Sequence, residues 1–241
     1  MHSAVLLFVS VVLGTGMAQN PIPHRPPRGF VYPSFNCTAP VEFKAFVDLI
    51  CPYSKQVWPT FLQVAEYYNK GSTSVLSFET LLFPLPYHRA AFPSAQASYI
   101  LRNLEAQKAY TWFDYIFNKQ SKYYNGAILN NTQSEIYEML ASDIATSTGV
   151  AKSSILAHFK DSDPSRDEVI VMWKYACSRT VSGTPTVFVN GVRVQFGETW
   201  TLADWRKVID PLLTPDEVGP KERLGNTVRR APSPARAGLD I

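Results

Sequence analysis

Strand-like runs at both ends of the apolar pattern enclose a block of helical ones, and that order limits the folds open to this chain. Residues 41–49, VEFKAFVDL, alternate and then run apolar, which reads as a strand of 5–8 residues. After CPYS, Val57, Phe61, Val64 and Tyr68 recur at helical spacing, Gly71 closes the run, and Pro59 inside it predicts a kink. Residues 74–83, SVLSFETLLF, read as a second strand, closed by Pro84 and Pro86. A βαβ unit of this kind implies a parallel pair with a right-handed crossover. Four helical runs follow. The first, from about residue 90 to 120, carries Tyr99, Leu101, Leu104, Trp112, Tyr115 and Ile116 at three-and-four spacing. The second opens on a capping pattern, Thr132 to Glu135. Then Thr186–Val189 and Val192–Phe196 flank Asn190-Gly191, a strong hairpin turn, and TLADWRKVIDPLL forms a last helix with Thr201 as its expected N-cap. The order β-α-β, four helices, β-β-α predicts one sheet built from both ends over residues 36–213, with a helical insertion at about 88–170.

The flanks read differently. Ala4–Leu13 is a short apolar stretch, and Gly16-Met17-Ala18 places small residues at cleavage spacing, so residues 1–18 are expected to be a signal peptide. The stretch is too short to span a bilayer, and no stable membrane insertion is expected. Two sequons, Asn36-Cys37-Thr38 and Asn130-Asn131-Thr132, fit the same route and make Asn36 and Asn130 candidate N-glycosylation sites. The expected location is secreted, or the lumen of the secretory pathway. Residues 19–35 are dense in proline and read as an extended leader; residues 214–241 read as a disordered tail. A net charge of +3 with scattered basic residues gives no footprint for nucleic acid.

The chain has three cysteines, Cys37, Cys51 and Cys177, so a hydrophobic core must hold the fold and at least one thiol lacks an internal partner. Cys51 falls at the junction of the first strand and the first helix. Helix N-termini leave N–H groups unpaired and carry partial positive charge, which favours a thiolate there. Pro52 suits the first helical turn because it has no N–H to orphan. The bland alternative is a buried, inert thiol. Cys177 is read mainly as a packed core residue, with a distant resolving thiol as the other possibility. A bridge from Cys51 to Cys177 or Cys37 also stays open. Asp48 is read as facing water, against the alternative of a buried proton acceptor. His88 and His158 have no partner at metal-ligand spacing, and no metal site is expected. The aromatic stripe at 110–117 is read as core packing.

The stretches DLICPYSK and SGTPTVFVNG, the helical run between them, and Pro59 eight residues after Cys51 resemble the DsbA-like thioredoxin family. That resemblance implies a thioredoxin fold with an inserted all-helical domain. It implies a cis Thr184-Pro185 bond beside Cys51, with Thr184 and Pro185 holding an extended substrate peptide and Pro52 and Tyr53 shaping the groove. The departure is Ser54, where the family has a second cysteine. Serine cannot resolve a mixed disulfide. Cys51 is therefore expected to act as a monothiol nucleophile on protein cysteines or glutathione, with Ser54 donating a hydrogen bond to its thiolate and no cofactor beyond glutathione as co-substrate. A redox-inactive, chaperone-like peptide binder is the alternative. A relative of the kappa-type glutathione transferases is a third, though that class has serine where Cys51 stands.

Overall fold

The computed structural model describes residues 29–32, 39–70 and 74–214. The signal stretch, Cys37, the Asn36 sequon and the 215–241 tail lie outside these residues.

Five strands form one sheet in the order β1-β3-β2-β4-β5: β1 Phe30–Tyr32, β2 Val41–Val47, β3 Leu76–Leu82, β4 Thr186–Val189 and β5 Val192–Val194. β2 and β3 run parallel, with Phe43 opposite Phe78. β4 pairs antiparallel with β2, with Phe46 opposite Thr186. The two ends of the chain thus share one sheet, as the order of patterns predicts. β3 is buried along its whole length, including Ser77, Glu79 and Thr80, while β2 alternates buried and half-buried positions at Glu42 and Lys44 before its buried end.

One face of the sheet packs on α1 (Pro52–Tyr68) and α7 (Leu202–Ile209). Phe43 stacks on Phe78 with ring centroids 5.3 Å apart and meets Phe61 of α1 at 5.6 Å and Trp205 of α7 at 5.0 Å. Burying each such ring is worth roughly 1.5–3 kcal/mol. Pro59 is carried inside α1, which continues through it. On the opposite face Phe46 meets Tyr175 of α6 (Pro164–Ser178) at 6.3 Å. The hairpin turn is built as expected: Asn190 and Gly191 take φ of 46° and 77°, the left-handed pair that a two-residue turn requires.

The inserted helices are α2 (Ala91–Glu105), α3 (Ala109–Lys119), α4 (Gln133–Thr148), α5 (Lys152–Leu156) and α6. The apolar run read as one helix from 90 to 120 is two. Glu105 leaves the helical region (φ −150°, ψ 72°), and a short 3-10 turn, Ala106–Lys108, reverses the chain. The break lets α3 fold back on α2, where the Trp112 indole donates to Ser98 Oγ at 2.9 Å. The two halves keep one helical phase, so periodicity alone could not reveal the joint. Thr132 and Glu135 form the expected capping box on α4.

The second correction is β1. Residues 29–32 of the proline-dense leader carry a strand that pairs antiparallel with β3, with Phe30 opposite Thr80. Phe30 packs on Tyr99 at 5.1 Å and Phe113 at 4.9 Å, and its carbonyl accepts from Tyr110 Oη at 2.7 Å. Three residues between prolines are too few to show a period of two. Gly29 precedes it against the β3 backbone and donates its N–H to the buried Glu79 carboxylate at 2.6 Å.

Two outcomes follow for stability. A Cβ at Gly29 would stand 2.2 Å from the Thr80 carbonyl oxygen. Gly29→Ala is therefore expected to unseat β1 and lower stability by about 1–3 kcal/mol in urea unfolding; an unchanged midpoint would contradict the seating of this strand. Burial pushes the phenols of Tyr99 and Tyr123 well above the ordinary tyrosine value, Tyr123 further through its bond to the Asp143 carboxylate. Their folded values exceed the unfolded one, so their contribution is complete below about pH 10 and declines as pH rises beyond it. Thermal unfolding followed from about pH 8 to 12 should show a falling midpoint, with tyrosinate absorbance from these two residues appearing only on unfolding.

Candidate active site

α1 begins immediately after Cys51, which occupies the N-cap with extended backbone (φ −75°, ψ 122°), and Pro52 fills the first helical position. The turn that delivers Cys51 is organised by Asp48, directly after β2. The Asp48 carbonyl accepts the Cys51 N–H at 3.0 Å, and Asp48 Oδ1 accepts the Ile50 N–H at 2.8 Å. Asp48 Oδ2 accepts the Leu85 N–H at 3.3 Å and lies 2.6 Å from His88 Nδ1. This side chain has no solvent exposure. The water-facing reading of Asp48 is thus corrected: three donors, from its own turn and from the loop after β3, replace the water a buried carboxylate gives up. His88 has its partner forty residues away in sequence, which no spacing rule reveals.

A second fastening comes from the insertion. Gln120, fully buried in the 3-10 turn after α3, donates through Nε2 to the carbonyls of Leu49 and Cys51, each at 2.9 Å, and accepts from Tyr124 Oη at 2.7 Å. Sequence reading missed Gln120, because nothing local marks a glutamine whose targets are main-chain carbonyls about 70 residues away.

The other wall of the site is the loop before β4. The Thr184-Pro185 bond is cis, and the Cys51 thiol donates to the Thr184 carbonyl at 3.3 Å across 133 residues of sequence. Thr184 Oγ1 is buried without a hydrogen-bond partner. Thr186 Oγ1 donates to the Gly183 carbonyl at 2.8 Å and closes the loop on itself. A groove of about 170 Å³ runs beside this wall, lined by Tyr53, Thr184, Pro185, Arg193, Phe196 and Glu198. Tyr53 stands 54% exposed at its rim, and Pro52 is exposed beside it.

Three placements differ from expectation. Cys51 is enclosed, 3% exposed, since the proline loop and its own turn cover it. Ser54 is fully buried, and its hydroxyl oxygen accepts the Asp48 N–H at 3.3 Å, so it is engaged with the turn and not with the sulfur. Cys177 is exposed near the end of α6, where the sequence reading favoured the core, and both it and Cys51 are free, so they do not bridge each other. Burial raises the phenols of Tyr87 and Tyr124 above the ordinary tyrosine value, with smaller contributions from the neighbouring Cys51 and, for Tyr87, Asp48. Asn130 is exposed in the turn before α4. Among the described residues no group of three or more His, Cys, Asp or Glu side chains is arranged to hold a metal ion, and no helix is long and apolar enough to cross a membrane.

Comparison with curated protein sequences finds no match. Solved structures do match in fold. Alpha-DsbA1 from Wolbachia pipientis has a TM-score of 0.59 at 19% identity, covering 81% of this chain and 94% of its own. Oxidised BdbD from Bacillus subtilis has a TM-score of 0.56 at 16% identity, covering 73% and 89%. The oxidoreductase NmDsbA1 from N. meningitidis has a TM-score of 0.53 at 18% identity, covering 74% and 84%. The family model described as Thioredoxin matches residues 36–211, from before β2 to the end of α7, and includes Cys51, Ser54 and the Thr184-Pro185 loop. A match of that extent over a sheet, helices and insertion that superpose on DsbA proteins makes this chain a member of the thioredoxin family.

Proposed function

We propose that Cys51 performs monothiol thiol–disulfide exchange on cysteine-containing proteins or glutathione in the secretory pathway. The observation that carries this reading is the Cys51 sulfur at the N-terminus of α1, 3.3 Å from the Thr184 carbonyl. The helix end favours the thiolate over the thiol. In the first step the thiolate attacks one sulfur of a substrate disulfide, forms a Cys51–substrate disulfide and expels the other sulfur as a thiolate, which takes up a proton. Ser54 brings no second sulfur, and its hydroxyl oxygen is engaged with the Asp48 N–H. A free thiol from outside therefore attacks the mixed disulfide, leaves bound to the substrate sulfur and returns Cys51 as thiolate. The two steps exchange partners with no net oxidation. The Thr184 main chain and the groove beside Tyr53 suit an extended peptide laid along the loop. The signal-like residues 1–18 and the sequon at Asn130 support the lumenal location.

The enclosure of Cys51 favours a second reading, in which the same groove binds extended peptides and the sulfur is silent. Reaction with glutathione disulfide separates the two. In a Cys37→Ala, Cys177→Ala background, which leaves Cys51 as the single cysteine, the protein is expected to gain one glutathionyl group at Cys51, and Cys51→Ala should abolish that gain. Release should require added thiol, with no internal disulfide formed. A Cys51 that stays unmodified in the folded protein, while the denatured chain is modified, would leave the peptide-binding reading standing.

A further inference from the structure

Asp48 is a buried carboxylate that the exchange steps do not use. The thiol hydrogen points to the Thr184 carbonyl, on the loop before β4, and Asp48 makes no hydrogen bond to the sulfur. It does hold the turn: its carboxylate and main chain accept the N–H groups of Ile50 and Cys51, and its own N–H reaches Ser54. An uncompensated negative charge at this place would oppose formation of a second one on the sulfur. The residue able to compensate it is His88, whose imidazole is 19% exposed while the carboxylate is sealed. One edge of that ring reaches a groove lined by Leu85, Phe92, Ile170 and Trp173. Protons from solvent thus have a route to the ring.

The surrounding charges do not take over this role. Arg89, next in sequence and lining the same groove, donates its guanidinium to the carbonyls of Ile128, Leu129 and Asn131. From α6 the groove receives the apolar Ile170 and Trp173, and Arg166 lies over the far ring of Phe92. Tyr87 packs edge-on against His88 at 4.9 Å, and Tyr124 feels the Cys51 charge from the insertion side. Neither phenol can supply positive charge.

We propose that His88 is a positioning residue for Cys51, acting through Asp48: its imidazolium balances the carboxylate that pins the catalytic turn and so favours the thiolate. This rests on the exchange reading for the nucleophile and goes beyond it in naming what tunes it. Loss of the imidazole charge leaves Asp48 as a bare anion behind the sulfur, and the sulfur then reacts less at a given pH. An imidazole changes charge within the physiological range, so Cys51 reactivity follows that change as well as its own.

The test uses the full chain in the Cys37→Ala, Cys177→Ala background, with iodoacetamide as probe. His88→Gln keeps a neutral donor near the Asp48 carboxylate and removes the charge. Alkylation of Cys51 should slow by about five- to ten-fold near pH 6.5 and converge with the parent at about pH 9, above the range in which an imidazole ordinarily carries charge. A slowing that is uniform across pH would mark a merely structural role, and identical profiles from a parent whose sulfur does react would overturn the proposal. Hydrogen exchange provides an arm that does not need a reactive sulfur. His88→Ala removes the donor, and the amides of Ile50 and Cys51 should then exchange at least about ten-fold faster, with the amides of β3 unchanged as a check on folding. If the parent sulfur is inert yet those amides loosen, the exchange reading fails and the positioning by His88 stands. If neither amide responds, the proposal falls whatever the sulfur does.

Discussion

The pairing of β2 with a strand on either side is the constraint on which the rest depends. β3 joins it in parallel from one side and β4 antiparallel from the other, with Phe46 opposite Thr186. That register places the end of β2 beside the start of β4. The turn carrying Cys51 and the loop carrying Thr184 then have to meet, although 133 residues separate them. A slip of one residue would turn Phe43 away from Phe61 and Trp205 and carry Phe46 to the opposite face, so the apolar pattern that builds the core also sets the geometry of the site.

The insertion reaches the site as well as covering the sheet. Gln120 spends both amide hydrogens on the carbonyls of Leu49 and Cys51. Asn125 donates to the Tyr87 carbonyl and accepts from the Arg89 N–H, stitching the turn before α4 to the loop after β3. On the far side, the Trp58 indole of α1 donates to Asp114 of α3 at 2.6 Å. The turn carrying Cys51 is thus held from β2, from the loop after β3 and from the insertion together.

Much of the architecture was legible because it rests on local regularities. The apolar runs of β2 and β3, the helical spacing of Val57, Phe61 and Val64, and the Asn190-Gly191 turn each announce themselves within a few residues. β1 escaped because three residues show no period, and the α2–α3 joint escaped because the helical phase persists across Glu105. At the site, Cys51 and the Thr184-Pro185 loop were visible as motifs. Asp48 was visible only as a residue type, and composition alone misjudged it, since an aspartate is buried only where donors converge. His88 and Leu85 supply those donors from the loop after β3, and Gln120 of the insertion holds the adjoining carbonyls of Leu49 and Cys51.

By itself, the sequence determined the order of the longer elements, the single sheet drawn from both ends, a cysteine at a helix start and the lack of a second sulfur at Ser54. These follow from periodicity and residue chemistry, which act over a few positions. Only the tertiary structure decided that Cys51 is enclosed, that Ser54 faces the Asp48 N–H, that Cys177 is at the surface and that a histidine is bound to the aspartate of the Cys51 turn. Each of those depends on which distant groups arrive at one point, and long-range contact is a property of packing that no local pattern encodes.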